Sequence, residues 1–352
     1  MNPFKHILLS LIALLALFSC EKELGYDISS AQAVPMLNAI WNAGDTEHSV
    51  YLCSSLPYSV SSLTEGSRIT CYVNGSLVDE TDQYLDEISR NKIPFQKYIL
   101  RANLSGGDYV KLVAHINGKE ITSASMVPFA ASVQMDTNSI DNSFIKKQDD
   151  GTVLVIENRR IYSFKMTLKD ISGEPTYYRL HAPSVHSEIR KSKNNEVRDT
   201  KDWAWLPFDE KDPLFKNLTV QFPYELTLEF PFLVGTSNGT HVFSDDLFKD
   251  DSYSFGFGLN QDDYDLNVWH REYADIRVHF RLSTLTRDMY LYLLATNAAA
   301  SAAVDPLSEP VILPSNVEGG LGFFGIENGY DEVIPLKKCY YFDPDLERYW
   351  SD

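Results

Sequence analysis

The stretch Ile276-Arg277-Val278-His279-Phe280-Arg281-Leu282 sets apolar against cationic side chains in strict alternation. A period of two places the apolar set on one face of an extended strand and the cations on the other. The same period runs through Tyr162, Phe164, Met166 and Leu168, set against Ser163, Lys165 and Thr167. It runs again through Val110, Leu112, Ala114 and Ile116, set against Tyr109, Lys111 and His115. Asn-Gly pairs at Asn74-Gly75 and Asn117-Gly118 stand between apolar runs and read as hairpin turns. Asp150-Gly151 plays the same part before Thr152 to Glu157, and further Asn-Gly pairs occur at Asn238-Gly239 and Asn328-Gly329. The expected fold is mostly β: an N-terminal immunoglobulin-like sandwich followed by a larger β-sandwich domain with one helix. That helix is predicted over Leu285 to Ala303, with Thr286 or Ser283 as its cap and Asp305-Pro306 as its end.

Val127-Pro128-Phe129-Ala130 marks the expected domain break. Residues 34–128 have the size of an immunoglobulin-like unit of about seven strands. Residues 134–345 form the larger β-rich unit. Lys191 to Asp212 is long and polar and reads as an excursion between strands, a place where function concentrates.

The chain has 352 residues, with 31 Lys+Arg against 49 Asp+Glu and a formal net charge of -18. This composition is that of a globular protein, not a disordered or collagenous one. No basic surplus exists to neutralise phosphates, so nucleic acid is excluded as a partner of the usual kind.

Lys5 precedes Ile7 to Phe18, a run of 12 residues that is apolar apart from Ser10. A spanning helix needs roughly 20, so the run reads as the core of a signal peptide over residues 1–19. It ends in Leu17-Phe18-Ser19-Cys20, which resembles a bacterial lipobox. Cys20 is then the lipidation site, and residues 20–33 are the lipidated tether. Multiple acyl chains, each buried CH₂ adding about 0.8 kcal/mol, would hold the protein on a membrane without crossing it. The acidic cluster Glu21-Lys22-Glu23 suits either a surface-export signal or a solvated tether.

Cys53 and Cys71 lie 18 residues apart in strand-like segments. An oxidising compartment permits a bridge between them, so they form a candidate disulfide. Cys339 is then a leftover thiol. No Cys/His spacing suggests zinc, and neither HExxH nor GxSxG occurs. His181 and His186, five apart, do not suit shared metal ligation. Asp245-Asp246 and Asp262-Asp263-Tyr264-Asp265 lack the calcium-loop spacing. No metal and no cofactor is therefore expected, and no catalytic residue is assigned.

Gly320-Leu321-Gly322-Phe323-Phe324-Gly325 matches GxGxxG, but it runs into Ile326-Glu327-Asn328-Gly329, read as a turn, rather than opening a helix. A glycine-kinked terminal strand, closely approached by another backbone, fits better. Asp202 to Phe208 concentrates aromatics in the polar excursion, so Trp203, Trp205 and Phe208 form the candidate binding surface. The outward stripe of Arg277, His279 and Arg281 suits an acidic partner or a solvated strand face.

Several stretches spread over the chain carry a resemblance. They are Pro35 to Trp41, Ser49 to Ser54, Ile69 to Gly75, Tyr109 to Leu112, Pro128, Val242 to Phe248, Tyr290 to Leu293 and, most specific, Glu309 to Gly325. With the lipobox, their order resembles a family of Bacteroidetes lipoproteins, domain of unknown function 4249. The resemblance implies an outer-membrane lipoprotein, on its periplasmic or cell-surface face, that accompanies a TonB-dependent transporter. It carries over no activity, and it leaves Asp245 as a turn cap and Asn316 as a loop-fixing residue. The expected function is a non-enzymatic binding or accessory component of TonB-dependent nutrient uptake. Its expected partners are the membrane through Cys20, a transporter barrel, and a glycan or peptide ligand. The alternatives are a carbohydrate-active enzyme with a carboxylate pair, and a surface adhesin or structural protein.

Overall fold

The computed structural model describes residues 33–55, 66–88, 94–116, 118–141, 144–147, 153–157, 160–170, 175–181, 184–191, 197–204, 212, 241–249, 251–260, 272–304, 311–336, 341–343 and 348–350. The first strands are β1 (Val34–Asn42), β2 (Glu47–Ser55), β3 (Arg68–Val73), β4 (Ser76–Thr81), β5 (Tyr84–Ile88), β6 (Pro94–Arg101), β7 (Tyr109–Ile116) and β8 (Lys119–Met126). Then come β9 (Ser132–Asp141), β10 (Phe144–Lys147), β11 (Val153–Glu157), β12 (Arg160–Lys169), β13 (Tyr177–Leu180), β14 (Ser184–Lys191), β15 (Val197–Ala204), β16 (His241–Ser244), β17 (Ser252–Asn260) and β18 (Glu272–Leu285). The helix α1 (Arg287–Val304) precedes β19 (Val317–Glu318), β20 (Leu321–Pro335), β21 (Tyr341–Asp343) and β22 (Arg348–Trp350). The fold is mostly β with one helix among the described residues, as the alternation requires. That helix is not long and apolar enough to cross a membrane.

Ten strands form one sheet, whose main path runs β15-β14-β18-β20-β1-β2-β6-β5, with β13 and β16 attached beside β18. A five-stranded sheet, β19-β8-β7-β3-β4, faces one end of it. Leu37, Trp41, Leu52, Ile69, Leu100, Leu112 and Phe324 are packed together between the two. The three-stranded sheet β17-β12-β9 faces the other end. Tyr162, Phe164, Met166 and Leu168 meet Val278, Phe280 and Leu282 there, the very sets that the period of two selected. The helix covers the opposite face of the large sheet, where Met289, Tyr292 and Leu293 pack on Leu285, Val242 and Phe323. Thr286 caps its start: the Met289 N–H donates to Thr286 Oγ1 at 3.3 Å.

Strand β20 joins the two cores. Its first half runs parallel to β1, from Met36↔Leu321 to Asn42↔Glu327. Its second half runs antiparallel to β18, from Leu285↔Glu327 to Arg277↔Pro335. Residues 317–327, assigned by sequence to the larger unit, thus complete the first sandwich. Ile326 to Gly329 is mid-strand rather than a turn, because its backbone groups are taken by neighbours on the sheet. The Pro128-Phe129 connection is latched at this junction. The Pro128 carbonyl accepts from Asn328 Nδ2 at 2.8 Å, and the Phe129 carbonyl from Thr284 Oγ1 at 2.6 Å.

Two further expectations are met differently. Asn74-Gly75 forms its hairpin turn with φ of 52° and 81°, the left-handed pair that such a turn demands. The excursion Lys191 to Asp212 is in part a strand, since β15 pairs with β14 along Ser184↔Ala204 to Arg190↔Val197. Asp150-Gly151, Asn238-Gly239 and Asp262 to Asp265 lie outside the described residues.

Candidate functional site: a charged cluster on the shared sheet

The residues Arg277, His279, Arg281 and Ser283 of β18 alternate with core residues and so lie on the face opposite the second core. The register brings others onto that face. Arg179 of β13 stands opposite Ser283, and His186 of β14 opposite Arg277. On β20, Asp331 stands opposite Arg281 and Glu327 opposite Leu285. The helix covers the Leu285 end of this face, and the other end is open.

At the covered end Arg179 Nη1 donates to Glu327 Oε2 at 3.0 Å, and the Arg179 side chain is 1% exposed. His181 Nε2 lies 3.8 Å from the same carboxylate oxygen and 3.4 Å from Ser283 Oγ. Arg281 Nε lies 3.4 Å from Asp331 Oδ1 at the open rim. Burial alone would raise the Glu327 carboxyl, but Arg179 foremost, with His181 and Arg281, overrides it and holds the group at about 2. The same burial, with the Arg179 charge, lowers the His181 imidazole and keeps it neutral at neutral pH. A carboxylate fixed in its charged form beside a neutral imidazole is an electrostatic anchor. It is the reverse of a general acid, which needs a carboxyl raised towards neutrality.

The residues singled out by sequence are placed as follows. Trp203 lies on β15, in register with Val185. Trp205 and Phe208 lie outside the described residues, as do Cys20 and Cys339. His181 follows β13 and His186 belongs to β14, so they sit on different strands. No group of three metal-ligating side chains occurs among the described residues. Asp245 opens a 3-10 turn over Asp245–Leu247, and its Oδ2 accepts from the Thr176 N–H at 2.7 Å. Asn316 does not bond to its own backbone. Its amide pairs with the Phe324 backbone in both directions, at 2.7 and 2.8 Å, in place of a neighbouring strand.

The candidate disulfide is corrected. Cys53 and Cys71 are both buried free thiols, and they belong to different sheets. Val50 and Leu52 of β2 point into the first core, so Cys53 points to the other face, whereas Cys71 points into the core beside Ile69. Burial pushes the Cys53 thiol up to about 11 and, with Asp79 adding to it, the Cys71 thiol to about 12. Both are expected to resist iodoacetamide in the folded chain and to react once it is denatured. Mass spectrometry before and after denaturation checks this, and rapid native labelling at either would contradict it.

Arg179 and Glu327 were not singled out by motif, and no curated protein matches the chain. The profile of one family does match, along residues 21–330. Its extent takes in the first sandwich core, the helix, the glycine-rich start of β20 and the second core apart from Ile334 and Leu336, and the chain belongs to that family, described as Domain of unknown function (DUF4249).

Proposed function

We propose that the protein is an outer-membrane-anchored lipoprotein acting as a non-enzymatic binding or accessory component of TonB-dependent nutrient uptake. The observation that carries the reading is Leu17-Phe18-Ser19-Cys20 at the end of a signal-peptide-like apolar run. An acidic body on a lipidated tether stands off an anionic membrane surface, where it is free to meet a membrane partner. Glu327 is held charged by Arg179, so it does not supply the protonated general acid that the carboxylate-pair enzyme alternative needs.

An affinity pull-down with a C-terminal tag, from gently solubilised outer membranes, tests the reading. A stoichiometric TonB-dependent barrel among the captured proteins is the expected result. Capture of nothing above control would overturn the transport role. The anchor is tested separately: Cys20→Ala should lose labelling by an alkyne-tagged palmitate and leave the membrane fraction, and retention of both would remove the lipid anchor from the proposal.

A further inference from the structure

We infer that the outer face of the five-stranded sheet in the first sandwich binds an acidic oligosaccharide, one built of hexuronate rings. Ile69 and Cys71 of β3, like Val110 and Leu112 of β7, point into the first core, so Tyr72, Tyr109 and Lys111 point to the outer face. The register sets Leu77 opposite Tyr72, Tyr72 opposite Lys111, and Met126 opposite Tyr109. Leu77, Tyr109 and Met126 are 57%, 47% and 46% exposed, and Lys111 is exposed between them. One strip of aromatic and apolar side chains thus crosses β4, β3, β7 and β8 with a lysine in its middle. At the ordinary strand spacing of about 4.8 Å the strip is about 14 Å long.

The turns at its end hold the strip in shape. The Tyr109 N–H donates to Asn74 Oδ1 at 2.9 Å, and Asn74 Nδ2 donates to Asp108 Oδ1 at 2.8 Å. The Ser105 N–H donates to Asp108 Oδ2 at 2.8 Å, so both oxygens of this carboxylate are taken. The described acids that the register puts on the face lie further along it, in the rows of Thr70 and Arg68. Each stands against a partner there: Glu80 lies 3.9 Å from Arg68, Glu120 lies 3.9 Å from His115, and Glu318 accepts from Thr122 Oγ1 at 3.4 Å. Lys111 has no ion-pair or hydrogen-bond partner among the described residues.

That cation selects an anionic occupant. A second copy does not suit, because a two-fold pairing of the strip would bring Lys111 against its own copy. A peptide is ordinarily taken up along a sheet edge or in a groove, whereas this strip crosses the middle of a sheet face, where β3 and β7 are paired on both sides. A saccharide suits such a face: the C–H side of its ring stacks on a tyrosine while its hydroxyls stay in water. Tyr109 and Lys111 are two residues apart on one strand, about 7 Å, so a hexuronate ring seated on Tyr109 has its carboxylate within reach of Lys111. The site lies in the first sandwich and stands whether or not a barrel is captured.

The test is calorimetric titration of the full chain in detergent with oligomers of galacturonate, mannuronate and guluronate, and separately with a neutral glucose oligomer and a glutamate oligopeptide. Saturable binding of at least one hexuronate is expected, tighter than that of either comparison ligand. Tyr109→Ala should weaken it about ten-fold by removing the stacking face. Lys111→Met should weaken it about ten-fold and bring the hexuronate down to the level of the neutral oligomer. Both positions are exposed, so both variants should keep the parent's midpoint in urea. Lys165→Met, which removes an exposed lysine of the three-stranded sheet, should leave binding unchanged. Saturation by none of the hexuronates, equal binding of the neutral oligomer or the peptide, or parental affinity in Tyr109→Ala and Lys111→Met would overturn the site.

Discussion

Glu327→Gln is expected to cost the fold about 3–5 kcal/mol, a large part of the stability of an ordinary domain. The amide preserves shape and removes charge, so Arg179 stays buried at 1% exposure with no anion to balance it. Loss of one partner leaves the other's desolvation uncompensated, which is why breaking a buried pair costs far more than the pair is worth. Urea unfolding measures the effect, and a midpoint close to that of the parent protein would show that Arg179 does not depend on Glu327. Replacing both, as Arg179→Met with Glu327→Leu, should recover most of the loss. The pair also predicts an acid limit. The Glu327 carboxyl titrates at about 2 in the folded chain against 4.5 ordinarily. Its contribution is therefore complete above about pH 4.5 and fades as the pH falls towards 2. His181 and His48 begin the decline earlier. Burial lowers both, the second stacked 4.4 Å from Trp41 with Nε2 3.1 Å from the Ala102 carbonyl. Below about pH 6.5 the unfolded chain takes up protons that the folded chain refuses, so stability falls with pH from there.

The strands that carry both cores were legible in the sequence because each has one wet and one dry face. Tyr162 to Leu168 and Ile276 to Leu282 declare themselves by period alone, and Asn74-Gly75 by its need for positive φ. What joins the cores was not legible. The sequence separation between β1 and β20 hides a parallel pairing, and nothing local in Leu321 to Pro335 tells that its two halves have different neighbours. Phe323 and Phe324 explain the missing alternation there: the first stacks on Tyr292 at 4.0 Å beneath the helix, the second enters the first core. A strand buried on both faces reads as an unbroken apolar run. Within such a run a charge is the signal to look for, since charged residues are seldom buried unless paired. Glu327 after Phe-Phe-Gly-Ile and Arg179 after Tyr-Tyr both carry it, although only the register shows that they meet. The cationic stripe was visible for the same reason as its strand, while the two cysteines misled because spacing says nothing about which face each one takes.

Gly322→Ala is expected to be more damaging still than loss of Glu327. At Gly322 φ is +116°, and an added Cβ would stand 1.9 Å from the Leu37 carbonyl oxygen and 2.8 Å from its carbon. Those atoms are backbone of the paired strand and cannot rotate away. Relief requires that β20 leave β1 along the register Met36↔Leu321 to Asn42↔Glu327. The first core would then lose Phe324 and Ile326, the helix layer would lose Phe323, and Glu327 would be pulled from Arg179. Backbone strain of about 1–3 kcal/mol thus adds to the loss of packing, and the total should exceed about 5 kcal/mol. Gly258→Ala is the matched control: its added Cβ would meet only the Tyr162 carbonyl oxygen at 3.7 Å, an ordinary contact. That variant should stay within about 1 kcal/mol of the parent in urea unfolding, whereas Gly322→Ala should yield little folded protein. Equal stability of the two would mean that β20 does not lie against β1 in this register. The glycines of Gly320-Leu321-Gly322-Phe323-Phe324-Gly325 then need no nucleotide to explain them, because the closeness of the Pro35 and Leu37 backbones already excludes side chains at Gly320 and Gly322.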